Sequence, residues 1–210
     1  MRKKERVLEA VKRLESLYPD AICSLEYSDA FQLLVATRLS AQCTDKRVNM
    51  VTPDLFKEFP TAEKMANADI GRVEELIKTC GLYKTKAKDL VALSKSIMGD
   101  FGGRVPDTIE ELTTLSGVGR KTANLVCGDI YKKPAVVTDT HFIRICNRLG
   151  FVNSKNPLTV EKEMRKLLPP DKSNDFCHRT VLFGRDVCLA RKAKCDECTL
   201  NDICPKKGVK

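Results

Sequence analysis

The stretch Leu112-Thr113-Thr114-Leu115-Ser116-Gly117-Val118-Gly119-Arg120-Lys121-Thr122-Ala123 joins two helical segments through Gly-Val-Gly. Upstream, Pro106 is followed by Thr108-Ile109-Glu110-Glu111, a capping box that opens a helix. Its Ile109, Leu112 and Leu115 face inward before Gly117 ends it. A second helix is predicted from about Arg120 to Tyr131. Two glycines one residue apart let the backbone turn tightly and approach a ligand with no Cβ in the way. The N–H groups and positive dipole end of the second helix then suit a phosphate. A plain helical hairpin with a glycine C-cap uses the same spacing, so both readings stand. A nucleotide P-loop is excluded, because it needs glycines where Leu115 and Arg120 stand. A dinucleotide fingerprint fails too, lacking both the third glycine at Thr122 and a preceding strand.

Outward from the hairpin the signals stay helical. Val7, Val11, Leu14 and Tyr18 share one face before Pro19, and Phe31, Leu34, Val35 and Leu39 share another. Residues 69–80 carry Ile70, Val73 and Ile77, with Gly81 as the expected C′ residue. Residues 84–98 and 140–149 repeat the pattern, the latter capped by Asp139 or Thr140 and ended by Gly150. Only Ala135-Val136-Val137 reads as extended. The expected fold class is all-α, and Lys132-Lys133-Pro134 is the best break between domains.

The 210 residues are 42% hydrophobic, enough for a buried core and too much for a disordered chain. No run approaches the ~18 apolar residues of a membrane span, and Met1-Arg2-Lys3-Lys4-Glu5 opens no apolar signal core. The expectation is a cytoplasmic protein with no membrane partner. A net charge of +9 attracts polyanions, nucleic acid being the commonest, although it equally serves solubility.

Ten cysteines in such a chain are thiols, metal ligands or catalytic groups rather than disulfides. Cys23, Cys43, Cys80, Cys127, Cys146 and Cys177 are scattered. Cys188-x6-Cys195-x2-Cys198-x5-Cys204 is crowded, and thiolates at such density bind zinc or iron–sulfur clusters. A zinc ribbon usually pairs two Cys-x2-Cys units and this tail has one. The common ferredoxin run is tighter, so general rules leave the metal open.

Residues 115–123 resemble the helix-hairpin-helix of the base-excision DNA glycosylases. Val137-Thr138-Asp139-Thr140-His141 is similar to the aspartate motif of the same superfamily. With Leu39-Ser40-Ala41-Gln42-Cys43-Thr44-Asp45, Gly81-Leu82-Tyr83 and the cysteine tail in order, the chain resembles the endonuclease III family over nearly its whole length. Ser116 stands where proline is common, Cys43 where alanine is common, and Thr138 where valine is usual.

The resemblance implies a two-lobed fold with duplex DNA across the groove between lobes. One lobe is a six-helix unit, residues 22–133, with the hairpin at about 108–131. The other joins residues 1–21 to 134–210 and holds the cluster loop 188–204. Lys121 matches the Schiff-base lysine, which would attack C1′ as a neutral amine favoured by the helix dipole, Arg120 and partial desolvation. Asp139 matches the essential aspartate, a role compatible with capping. Cys188, Cys195, Cys198 and Cys204 match the ligands of a [4Fe–4S] cluster. Gln42 and Leu82 match residues that fill the hole left by a flipped nucleotide. Gly117, Gly119 and Arg120 would face DNA, as would Arg191, Lys192 and Lys194 once the cluster ties their loop down. His141 is expected to order the aspartate loop. The expected function is removal of oxidised pyrimidines from duplex DNA and 3′ cleavage of the abasic site by β-elimination, by a monomer. The alternatives are a monofunctional mismatch glycosylase and a non-catalytic hairpin protein with structural metal.

Overall fold

The computed structural model describes residues 1–209, and among these the regular secondary structure is helical, with no strand. In chain order the α-helices are α1 (Lys3–Leu17), α2 (Ala30–Ser40), α3 (Asp45–Glu58), α4 (Ala62–Ala66), α5 (Ile70–Leu76), α6 (Tyr83–Asp100), α7 (Ile109–Leu112), α8 (Arg120–Asp129), α9 (Thr140–Arg148), α10 (Pro157–Leu167) and α11 (Ser173–Asp186). The chain divides into two compact units, Cys23–Tyr131 and Met1–Ile22 with Lys132–Lys210.

In the unit Cys23–Tyr131, α2 is apolar nearly all round. Phe31, Leu33, Leu34, Val35, Ala36 and Leu39 are all buried, so the helix sits at the centre, with α3, α6 and α8 against it. Side-chain caps start the surrounding helices: Asp29 accepts from Gln32 N–H, Thr44 from Arg47, Thr61 from Lys64 and Asp69 from Arg72. Thr108 caps α7 by accepting from Glu111 N–H, and the Glu111 carboxylate turns back onto the Thr108 hydroxyl. Among the described residues this unit carries seven helical segments, α2 to α8.

The expected helix over 69–80 stops at Leu76, and Gly81 is not its left-handed C′ residue. The left-handed conformation falls instead on Leu82, at φ 59°. Glycine at 81 has another use, since a Cβ there would stand 3.2 Å from the carbonyl oxygen of Gln42.

In the other unit, α11 packs on α9 and α1, and Phe142 meets Phe176 edge to face at 6.1 Å. Ala135-Val136-Val137 is buried but pairs with no strand. Ala135 N–H donates to Ser173 Oγ and Val137 N–H to Cys177 Sγ, so side chains of α11 take the place of a partner strand. Asp139 caps α9, and Gly150, at φ +66°, ends it.

Candidate active site and cysteine loop

The Gly117-Val118-Gly119 turn is held from behind by side chains of two helices. Arg38 on α2 donates two hydrogen bonds to one carboxylate oxygen of Asp89 on α6, and Ser116 Oγ donates to the other at 2.9 Å. Only 12% of Arg38 and 17% of Asp89 is exposed, so the pair is screened little by water. Gly117 lies directly on it. Its φ is +71°, and a Cβ would meet Arg38 Nε at 2.3 Å and Asp89 Oδ2 at 2.8 Å. Two independent constraints therefore require glycine there.

Gly119 has a different reason. A Cβ on it would meet nothing within 4 Å, and no side chain caps the N-terminus of α8 that it begins. The turn is thus rigid on its inner side and open on its outer side, where Arg120 and Lys121 are both exposed. The expected partial desolvation of Lys121 is therefore not provided by the chain itself, whose Lys121 side chain is exposed.

Lys121 has neighbours that sequence reasoning missed. The Cys23 thiol lies in the field of Lys121, Asp129 and Asp45, and is pushed up to about 12, chiefly by burial. Burial, with Asp129 and Cys23 beside it, also raises Tyr27 to about 12. The segment carrying both is tied to α3: Ser24 Oγ donates to Asp45 Oδ2 at 2.6 Å, and Asn49 bridges Ser24 O and Glu26 N. No periodicity marks this segment, and its partners lie some twenty residues or more along the chain.

Asp139 Oδ1 accepts from Phe142 N–H at 2.7 Å, which fixes the carboxylate at the start of α9. His141 packs its ring where Gly184 lacks a Cβ, and Arg144 lies 3.2 Å from its Nδ1. Burial lowers the His141 pKa, against the pull of Asp139.

Gln42 and Leu82 are both exposed and both left-handed, at φ 55° and 59°. Such a conformation costs a non-glycine residue about 1–2 kcal/mol, and Leu82 also leaves 57% of its surface in water. An exposed leucine held in a strained conformation is not a core position. A buried ammonium holds this corner: Lys86 Nζ donates to Leu39 O at the end of α2 at 2.7 Å.

The four tail cysteines line one cavity together with Arg148, Phe183, Val187 and Leu200. No three His, Cys, Asp or Glu side chains among the described residues gather as ligands of a single ion. A multi-iron cluster is wider than one ion, so ligands spread around a cavity suit it better. The sulfurs are also prepared for negative charge. Arg148 donates to Cys188 Sγ at 3.4 Å, Leu200 N–H to Cys198 Sγ at 3.4 Å and Lys206 N–H to Cys204 Sγ at 3.3 Å. Burial and mutual repulsion raise Cys198 and Cys204, so a cationic group in their midst would relieve the set. Sequence reasoning also missed Arg148, which donates to the carbonyls of Leu189 and Ala190 as well. Arg144 adds Cys188 O. Their spacing of four on α9 puts both guanidiniums on one face, but nothing in the sequence says that loop carbonyls receive them. Arg191, Lys192 and Lys194 are exposed on this loop, with Lys192 left-handed at φ 54°.

Residues 35–170 match the family described as HhH-GPD superfamily base excision DNA repair protein. The chain is 46% identical to endonuclease III of Synechocystis over 204 residues, 97% of this chain and 93% of that one. It is 38% identical to endonuclease III of Escherichia coli K12, covering 97% of each. Its coordinates align at a TM-score of 0.91, with 36% identity, to a trapped endonuclease III–DNA covalent intermediate, over 98% of this chain and 97% of that one. With the braced hairpin, the capped aspartate and the cysteine tail in place, the chain belongs to the endonuclease III family of base-excision repair enzymes, which are DNA glycosylases and abasic-site lyases.

Proposed function

We propose that this chain binds duplex DNA carrying an oxidised pyrimidine or an abasic site, removes the base and cleaves the strand, with Lys121 as nucleophile. The observation that carries this reading is the exposed amine of Lys121 on the first turn of α8, immediately after a turn rigid on one side and open on the other. A phosphate received by the uncapped N–H groups of α8 would fix the backbone next to that amine. The Lys121 Nζ lone pair forms a bond to C1′ as the C1′–N bond to the base breaks, and the base leaves with a proton. Ring opening gives an iminium, which acidifies C2′–H. Loss of that proton then expels the 3′ phosphate. The desolvation that the free protein does not provide comes from the bound nucleotide.

Asp139 supplies a carboxylate, held by Phe142 N–H, that stabilises positive charge developing on the sugar. Gln42 and Leu82 enter the stack in place of the extruded nucleotide. Oxidised pyrimidines have lost ring planarity, so they stack poorly and cost less to extrude. Cys188, Cys195, Cys198 and Cys204 hold a [4Fe–4S] cluster. When bound, it ties the loop into one conformation, which lets Arg191, Lys192 and Lys194 meet phosphates. The protein works as a monomer in the compartment that holds the chromosome, the cytoplasm.

The test is to measure base release and strand cleavage separately on a thymine glycol duplex. Lys121→Gln should abolish both while leaving binding, and Asp139→Asn should lower base release by about a hundredfold or more. Base release with an intact strand in the unmodified protein would mean a monofunctional enzyme. Binding without either would mean a non-catalytic hairpin protein.

A further inference from the structure

Two of the scattered cysteines meet at the corner that carries Gln42 and Leu82. Cys43 directly follows Gln42, and Cys80 stands two residues before Leu82. The backbones of the two turns come together here, so that a Cβ on residue 81 would stand a tight 3.2 Å from Gln42 O. The Cys80 thiol lies close enough to Cys43 for the two to interact. Both are free thiols, Cys43 half-buried and Cys80 buried. The ammonium of Lys86, fixed on Leu39 O, lies in the field of both sulfurs.

We propose that Cys43 and Cys80 form a reversible oxidation site, at which a hydroperoxide closes a disulfide between the Gln42 and Leu82 turns. The more accessible Cys43 sulfur attacks the peroxide, taking one oxygen as sulfenic acid and releasing an alcohol or water. The Cys80 sulfur then attacks Cys43, its proton leaves with the hydroxyl as water, and the S–S bond forms. Two thiols and one hydroperoxide thus become one disulfide, one water and one alcohol or second water. Burial, with Cys43 next to it, raises the Cys80 thiol to about 11, while Lys86 and Arg47 favour its thiolate. Its burial behind the more accessible Cys43 suits Cys80 to the second step. A dithiol reductant reverses the bond.

Closing the bond draws the two sulfurs to covalent distance, and with them two residues already held left-handed. The consequence for DNA rests on the reading of Gln42 and Leu82 as inserted residues: the oxidised protein should bind an abasic-site duplex less well, by about tenfold. Family relatives commonly carry alanine at position 43, so Cys43→Ala is the natural control.

The experiment treats the cluster-loaded protein with hydrogen peroxide, alkylates the remaining thiols and maps peptides by mass spectrometry. Cluster absorbance is followed in parallel. The expected result is a Cys43–Cys80 cross-linked peptide that dithiothreitol removes. Weaker binding to a duplex with a reduced abasic-site analogue should accompany it in the unmodified protein and not in Cys43→Ala. Absence of the cross-link under peroxide that oxidises other thiols would overturn the oxidation site. A cross-link with unchanged binding would establish the site and overturn the role of Gln42 and Leu82.

Discussion

The hairpin turn and the cysteine loop are both irregular segments that carry exposed cations, yet they are held in opposite ways. The turn is fixed by ordinary packing: a glycine that nothing else can replace, a nearly buried Arg38–Asp89 pair and one serine hydroxyl. The loop has no such core. Its carbonyls are gathered by Arg148 and Arg144, and its four sulfurs line a cavity that ordinary side chains do not fill. A segment that must hold a reacting group to a fraction of an ångström is built from short, direct contacts. A segment that only presents charge can depend on an added group to stiffen it.

Five substitutions test that contrast. The largest effect is expected from Cys198→Ala, which removes one of the four thiols proposed to hold the cluster. The protein should lose its brown colour and several kcal/mol of stability, on the order of a structural metal site. Amide exchange should quicken over residues 188–204 and stay slow over 116–123. Equal quickening in both would break the distinction. Arg148→Met leaves the carbonyls of Leu189 and Ala190 without their donor, at about 3 kcal/mol, measured by denaturant unfolding of the cluster-loaded protein.

Gly117→Ala forces a left-handed alanine against Arg38, at about 2–4 kcal/mol. Lyase activity should fall with stability, because the brace moves to make room. A Gly119→Ala substitution, with open space around it, should instead leave folding nearly unchanged and weaken DNA binding. The smallest effect is expected from Lys192→Ala: binding should weaken modestly, with the slope of log K against log salt reduced by about one. An unchanged slope would remove Lys192 from the phosphate contacts.

The hairpin could be read from the sequence because its signals are local: a threonine cap, an apolar helix face and two glycines within twelve residues. Its brace could not, since Arg38 and Asp89 are 51 positions apart and neither residue type announces a partner. The caps of α9 and the stop at Gly150 were equally local. Gly81 was misread for an instructive reason. A glycine after a helical run suggests a C′ residue, but here it makes room for another turn's carbonyl, and the strained φ falls on Leu82. Ala135-Val136-Val137 looked extended because β-branched residues favour it, but the side chains of α11 took the hydrogen bonds a strand would have made. No helix was read over 45–58 or 157–167, although Thr44 and Asn156-Pro157 are good starts. The buried faces there include Thr52 and Glu161, polar residues that interrupt the apolar pattern. The tail cysteines were plain in the sequence, and the arginines serving them were not.

In the proposed reaction the amine of Lys121 forms the covalent bond to the sugar. Borohydride reduction of the protein mixed with a thymine glycol duplex, followed by proteolysis and peptide mass mapping, tests it directly. One adduct is expected, on Lys121, absent from Lys121→Gln. An adduct on another amine, or one that persists in Lys121→Gln, would contradict it.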